Sequence, residues 1–101
     1  MRLGLNIEFQ GKSYDILELP GEAFVQLIPG LSEKKLRKIE RYFFDYWPDV
    51  TIRRRHVLDF AAELAGMSLD NMMLNRENID FDDHDLYLYV QRQTKQGSRP
   101  S

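Results

Sequence analysis

The first apolar pattern in the chain has a period of two. Between Leu3 and Phe9, apolar side chains alternate with polar or small ones, as in a strand that buries one face. Gly11 follows as a tight turn, and a second apolar run extends from Tyr14 to Leu19. The pattern therefore predicts an N-terminal β-hairpin in which Gly11 takes the positive φ that short connections require.

A helical period replaces this alternation after residue 30. Ser32 has the side chain of a good N-cap, and Pro48 marks the other boundary. Between them, apolar residues recur at the spacing of one helix face, and the basic residues stay off that face. We therefore predict a helix from Glu33 to Trp47 with one face in the core. The apolar stripe consists of Leu36, Ile39, Phe43 and Tyr46.

Two further helices are predicted in the middle of the chain. Thr51 is suited to cap a helix whose apolar residues recur until Gly66 ends it. Ser68 then caps a third, shorter helical segment. The two segments meet at a short turn that contains the glycine.

The segment 86–93 fits two structures. Its apolar residues alternate as they would in a strand, yet the acidic residues at 82, 83 and 85 suit the positive amino end of a helix. We favour the helix for this reason. Residues 94–101, which include Gly97 and Pro100, are predicted to form a flexible C-terminal tail.

Together these elements predict an α+β fold. We expect one small domain at residues 1–93, with the N-terminal β-hairpin packed on three to four helices. The predicted core consists of Phe9, Ile16, Phe24, Leu36, Ile39, Phe43, Phe60, Leu64 and Met72.

Composition limits the classes of protein to which the chain can belong. Its 101 residues, 43% hydrophobic and 30% charged, suffice for one core, and no cysteine is present for disulfides or thiolate metal sites. No stretch approaches the ~20 apolar residues of a membrane span. We expect a cytoplasmic protein that uses no cofactor, metal or small-molecule substrate and contacts no membrane.

The sequence contains no recognisable motif for catalysis or for metal binding. The serines fall at predicted turns or caps, and no Gly-x-Ser-x-Gly elbow or phosphate-binding glycine loop is present. The acidic run from Asp80 to Asp85 lacks the glycine that a calcium loop needs at its sixth position. We interpret this run as acidic residues that cap a helix or face solvent, and we expect no enzyme activity.

Basic and aromatic residues adjoin each other in the middle of the chain. The segment 42–47, directly after a basic run, holds more rings than one buried face can accommodate, and exposed rings beside arginine are typical of protein-protein hot spots. We therefore predict a small non-enzymatic adaptor or inhibitor that docks on a larger protein. The predicted partner-binding residues are Lys34, Arg37, Lys38, Arg41, Tyr42, Trp47, Arg53, Arg54 and Arg55.

Two alternatives remain open for this basic and aromatic region. One is a solvated basic face with its rings buried, and the other is a surface for single-stranded nucleic acid. The basic residues between 34 and 55 are followed by a cluster of acidic residues between 77 and 85, and the net charge of the chain is only −2. We therefore predict a dipolar surface on the domain, with little attraction for nucleic acid through the overall field.

The helix, glycine turn and second helix around Ala65-Gly66-Met67-Ser68 resemble the helix-turn-helix of DNA-binding regulators. The resemblance covers residues 58–76. It implies an alternative function in which the second helix enters the major groove while basic residues of the preceding helix hold phosphates. The residues that would bind DNA are Arg53, Arg54, Arg55, Asn71 and Asn75.

Overall fold

The computed structural model describes residues 5–97, and its N-terminal part is a two-stranded hairpin. Strand β1 (Asn6–Phe9) pairs antiparallel with strand β2 (Lys12–Asp15). The connecting Gln10 and Gly11 both have positive φ, 52° and 82°, as a type I′ turn requires. The predicted hairpin is confirmed, although positions 3 and 4 of its first strand lie outside the described residues.

The second strand is shorter than the sequence predicts. It ends at Asp15, whose side chain accepts a 3.0 Å hydrogen bond from the backbone N–H of Leu17 and so begins a 3₁₀ turn at Ile16–Glu18. Ile16 and Leu17 are both buried, whereas a half-exposed strand buries every second residue. The continuous apolar run therefore indicates a buried turn at this point.

The described residues contain five α-helices, which confirms the α+β class. Helices α1 and α4 are short; α1 precedes the longer helices α2 and α3, and α4 lies between α3 and the third long helix, α5. Their bounds are α1 (Gly21–Val25), α2 (Glu33–Phe44), α3 (Val50–Ala65), α4 (Leu69–Leu74) and α5 (Asp83–Gly97).

Helix α2 begins at the predicted cap but ends earlier than predicted. Ser32 accepts a hydrogen bond from the backbone N–H of Lys35 at 3.2 Å. The last helical residue is Phe44, because Pro48 disfavours helical backbone at Trp47 and the chain turns before it. Tyr46, predicted to lie on the buried stripe, is therefore displaced from the helix face and is exposed.

The next two helices also begin and end at local signals. Asp49, rather than the predicted Thr51, caps α3 by accepting from the backbone N–H of Ile52 at 3.0 Å. Gly66 ends α3 in the left-handed conformation, with φ of 67°. Ser68 caps α4 as predicted, accepting from the backbone N–H of Asn71.

The helical interpretation of residues 86–93 is confirmed. Helix α5 runs through them and continues to Gly97, so it includes the first positions of the segment predicted as a tail. Residues 98–101 lie outside the described residues. Asp82 and Asp85 exchange backbone-to-carboxylate hydrogen bonds of 3.0 Å at its start, which confirms that acidic residues cap this helix.

The core lies where α2, α3 and α5 meet. Tyr89 is fully buried at its centre, with its ring 5.5 Å from that of Phe43 and 5.4 Å from that of Phe60. The predicted core residues are buried apart from Phe9 and Leu64, which are half-buried and pack against the cluster. Tyr89 itself was missed, because a tyrosine is usually placed nearer the surface.

Gly30 joins the loop before α2 to the segment before α5. Its carbonyl accepts from the backbone N–H of Ile79 at 2.8 Å. A Cβ at Gly30 would overlap the carbonyl oxygen of Glu77 and lie 2.9 Å from side-chain atoms of Ile79. The two backbones approach each other this closely only because residue 30 has no side chain.

We expect Gly30→Ala to lower the free energy of unfolding by about 1–3 kcal/mol, because the backbone of the neighbouring segment must move to admit the methyl group. Gly21→Ala is the matched control, since a Cβ there would meet its nearest neighbour at 3.9 Å. Urea unfolding followed by the fluorescence of Trp47 measures both. Equal stability of the two variants would contradict the steric explanation.

Candidate functional site

The outward face of α2 carries a dense group of basic side chains. They border an open groove of about 820 Å³, with the half-buried ring of Phe81 on its other side. Positions 34, 37, 38 and 41 follow the spacing of neighbouring helix rows, so one helix brings these charges together. We call this surface the cationic groove; it is lined by Ser32, Lys34, Lys35, Arg37, Lys38, Arg41 and Phe81.

Three of these cations are already paired with carboxylates of the chain. Lys35 Nζ lies 3.0 Å from Asp80 Oδ1 and also donates to the carbonyl of Ile79 at 3.0 Å. Lys38 Nζ lies 3.0 Å from Asp83 Oδ1. Arg37 pairs with Glu33 one turn earlier on the same helix. The acidic segment therefore lies beside the basic helix, and part of the charge of each is compensated locally.

Lys34 and Arg41 differ from their neighbours. Both are exposed, and neither forms a salt bridge within residues 5–97. They lie two helical turns apart on the same face of α2. The cationic groove therefore presents two uncompensated positive charges to solvent.

Tyrosine rings form a second exposed surface next to the cationic groove. We call Tyr42, Tyr46 and Tyr87 the tyrosine ridge. The rings of Tyr42 and Tyr46 are stacked with centroids 6.0 Å apart, and Tyr46 and Tyr87 are 46% and 50% exposed. Partial burial, followed by the proximity of Tyr46, Asp83 and Tyr87, raises the pKa of Tyr42, so α2 and α5 both contribute to this ridge.

Phe44 lies on the other side of α2 from the ridge. Its side chain is 53% exposed, and the guanidinium of Arg53 lies 5.2 Å from its ring centroid. The prediction that one buried face cannot hold all the rings of the segment 42–47 is confirmed by Phe44, whereas Tyr46 is exposed although it was predicted to lie on the buried stripe. The alternative in which all these rings are buried is wrong.

Trp47, one of the predicted partner-binding residues, packs largely against the core. Its half-buried ring stacks on His56 with centroids 3.7 Å apart and meets the edge of Phe43 at 5.1 Å. The chain brings Trp47 back onto the core after α2 ends. Its side chain therefore closes the end of the aromatic core.

The three consecutive arginines at the start of α3 have different roles in the structure. Arg53 donates to the backbone carbonyls of Trp47 and Pro48, at 3.2 and 2.9 Å, and holds the turn after α2. Arg54 donates to the backbone carbonyls of Leu17 and Leu19, and its guanidinium lies 4.6 Å from the ring centroid of Phe24. Arg55 is the exposed one.

A hydrogen-bonded chain that the sequence did not indicate links α3 to α5. The hydroxyl of Tyr89 donates to Asp59 Oδ2 at 2.8 Å and lies 2.9 Å from His56 Nδ1. Because that hydroxyl has one proton, Nδ1 of His56 must donate to it. Burial, and then the bond to Asp59, raise the pKa of Tyr89 far above its ordinary value.

An open groove of about 790 Å³ lies beside the hydrogen bonds that join His56, Tyr89 and Asp59. His56 and Asp59 line it together with Arg55, and residues around Gly66 close its other end. The spacing of His56 and Asp59 places them on one face of α3, but Tyr89 lies 30 residues from Asp59 along the chain. No local pattern in the sequence could have brought these three residues together.

The turn between α3 and α4 has the outline of a helix-turn-helix, but the details differ from a DNA-reading motif. Helix α4 has six residues, and the carboxylate of Asp70 lies in its first turn. Asn71 is exposed, whereas Asn75 is half-buried and accepts from the backbone N–H of Glu77. Arg53 lies about 20 Å along α3 from Gly66 at 1.5 Å per residue. Of the three arginines, Arg55 lines a groove together with Gly66 and Ser68, at the turn before α4.

Comparison with known proteins finds no matching family model, no matching curated protein and no matching solved structure. Among residues 5–97, no helix combines the length and the apolar character needed to cross a membrane. The same residues contain no group of three or more histidine or acidic side chains placed to hold a metal ion.

We expect Arg54→Ala to lower the free energy of unfolding by about 1–3 kcal/mol, because it leaves two buried backbone carbonyls without their donor. Arg54→Lys should recover only part of the loss, since one ammonium cannot replace a planar group that bridges carbonyls and stacks on Phe24. Arg55→Ala, on the exposed neighbour, should change stability by less than about 0.5 kcal/mol. Urea unfolding of the variants measures these values, and equal effects at 54 and 55 would contradict the structural role.

His56 should make stability depend on pH. Burial first, and then Arg55, lower the pKa of His56 below its ordinary value, while Asp59 acts in the opposite direction. The unfolded chain therefore binds the proton more readily, and stability falls as the pH decreases from about 7.5 to 5.5.

Urea unfolding at both pH values measures this dependence. His56→Gln should remove most of the loss between the two values. His84→Gln, on the exposed first turn of α5, should retain the loss seen for the unsubstituted chain. If His56→Gln kept the same pH dependence, another group would be responsible.

Proposed function

We propose that this chain is a small non-enzymatic adaptor or inhibitor that docks on a larger protein through the cationic groove and the tyrosine ridge. The observation that carries the proposal is the adjacency of uncompensated cations and exposed rings. The exposed Arg41 directly precedes Tyr42 on α2, and the half-buried ring of Tyr42 stacks on the exposed ring of Tyr46. Charged groups of this kind steer a partner during encounter, and rings provide the buried contact area afterwards.

A protein partner fits this surface better than DNA does. Of the arginines proposed for phosphate contacts, Arg53 and Arg54 donate to backbone carbonyls of their own chain. Glu33, Asp80 and Asp83 lie among the cations of the groove and would repel a phosphate backbone. A cytoplasmic setting is part of the proposal and is in keeping with a sequence that has no cysteine.

A test of binding requires side chains that the fold does not need. Trp47 and Arg54 stabilise the fold, so their removal would confuse loss of binding with loss of structure. We therefore choose Arg41→Glu combined with Tyr46→Ala, since both side chains are exposed. The matched control is Arg76→Glu combined with Leu74→Ala, an exposed cation and an exposed apolar residue that line neither surface.

We expect the chain and its control variant to capture the same partner from extracts of the source cell, with at least about tenfold less retained by the Arg41→Glu and Tyr46→Ala variant. Quantitative mass spectrometry of the captured proteins measures the ratio, and titration calorimetry with the purified partner gives the affinities. Urea unfolding establishes that both variants stay folded. A partner retained equally by all three chains would contradict the proposal.

A further inference from the structure

We propose that the cationic groove recognises an acidic segment of the protein partner, and that Asp80 and Asp83 compete with that segment for Lys35 and Lys38. This inference rests on the proposed function and specifies the chemistry of the partner. The inference is based on which cations of the groove are paired with carboxylates of the described residues and which are not.

The ion pairs within the groove are of a kind that exchanges readily. The side chains of Asp80 and Asp83 are 87% and 79% exposed, so water surrounds both carboxylates while they contact the lysines. Solvated ion pairs contribute little to stability. A carboxylate of another molecule can therefore replace either aspartate without disturbing the buried core.

The lysine positions are better fixed than the aspartates that they contact. Lys35 Nζ also donates to the backbone carbonyl of Ile79, and its side chain is 29% exposed. Lys38 Nζ lies 5.8 Å from the ring centroid of Phe81. Both ammonium groups therefore remain directed into the groove when their aspartate partner is replaced.

The spacing of free and paired cations favours a polypeptide over a nucleic acid. Within the described part of the chain, Lys34 and Arg41 form no salt bridge; they lie at the two ends of a stretch about 10 Å long along the helix, with the paired lysines between them. A nucleic-acid strand carries one charge every ~3.4 Å and cannot omit charges where the chain has its own carboxylates. A polypeptide can place acidic residues opposite the free cations and apolar residues opposite Phe81.

Removing the two aspartates should strengthen binding of the partner, whereas removing an ordinary contact residue weakens it. Asp80→Asn combined with Asp83→Asn removes the competing charges while keeping the side-chain shape, so binding of an acidic segment should become about threefold to tenfold tighter. Glu18→Gln combined with Asp70→Asn is the matched control. It changes the net charge by the same amount at exposed sites outside the groove and should change binding by less than about twofold.

The probe is a short fluorescein-labelled peptide rich in glutamate and leucine, measured by fluorescence anisotropy at constant salt. The same peptide with glutamine in place of glutamate tests whether binding needs the negative charge. A labelled single-stranded oligonucleotide of equal length tests whether the groove prefers a nucleic acid to an acidic polypeptide. Support requires tighter binding of the acidic peptide by the Asp80→Asn and Asp83→Asn variant than by the charge-matched control. Weaker binding after Lys34→Ala combined with Arg41→Ala is also required.

Five results would overturn the inference. Two concern the Asp80→Asn and Asp83→Asn variant: unchanged or weaker peptide binding by it, and equal tightening by its control. The other three are undiminished binding after Lys34→Ala combined with Arg41→Ala, equal binding of the glutamine peptide, and tighter binding of the oligonucleotide than of the acidic peptide. The partner captured through Arg41 and Tyr46 separates the two proposals. If that partner is captured but Asp80→Asn and Asp83→Asn do not strengthen its binding, only the inference about acidic recognition fails.

Discussion

The buried hydroxyl of Tyr89 is the constraint on which the rest of the structure depends. Its ring lies in the core between α2 and α3, where a hydroxyl without a partner would cost about 1–3 kcal/mol. Asp59 and His56, both on α3, supply the acceptor and the donor. This requirement fixes α5 against α3 and orients the imidazole on which Trp47 stacks, so one polar contact organises the aromatic core.

The arrangement of the core decides which rings remain at the surface. Because α2 ends at Phe44, Trp47 can turn back and cover His56 and Phe43. The residues between the helix end and Trp47 then have no place in the core, which leaves Tyr46 exposed next to Tyr42. The tyrosine ridge is thus a consequence of how the core closes, and the proposed binding surface depends on core packing.

The role of each charged side chain depends on the residues that the fold places next to it. Arg53 and Arg54 belong to the same basic run as Arg55, yet both donate to carbonyls within the domain. Lys35 and Lys38 belong to the same helix as Arg41, yet acidic residues more than 40 positions away compensate them. The groove is therefore a mixed surface on which, among residues 5–97, Lys34 and Arg41 form no salt bridge, and the proposed acidic partner is chosen to match this pattern.

The sequence alone determined the features that depend on neighbouring residues. The hairpin with its turn at Gly11, the cap at Ser32, the stop at Gly66 and the surplus of rings in the segment 42–47 all follow from local sterics and periodicity. Tertiary structure decided that Trp47 turns inward, that Arg54 holds backbone carbonyls and that the acidic segment lies on the basic helix. These outcomes depend on which distant groups meet in the core, and no local pattern encodes such a meeting.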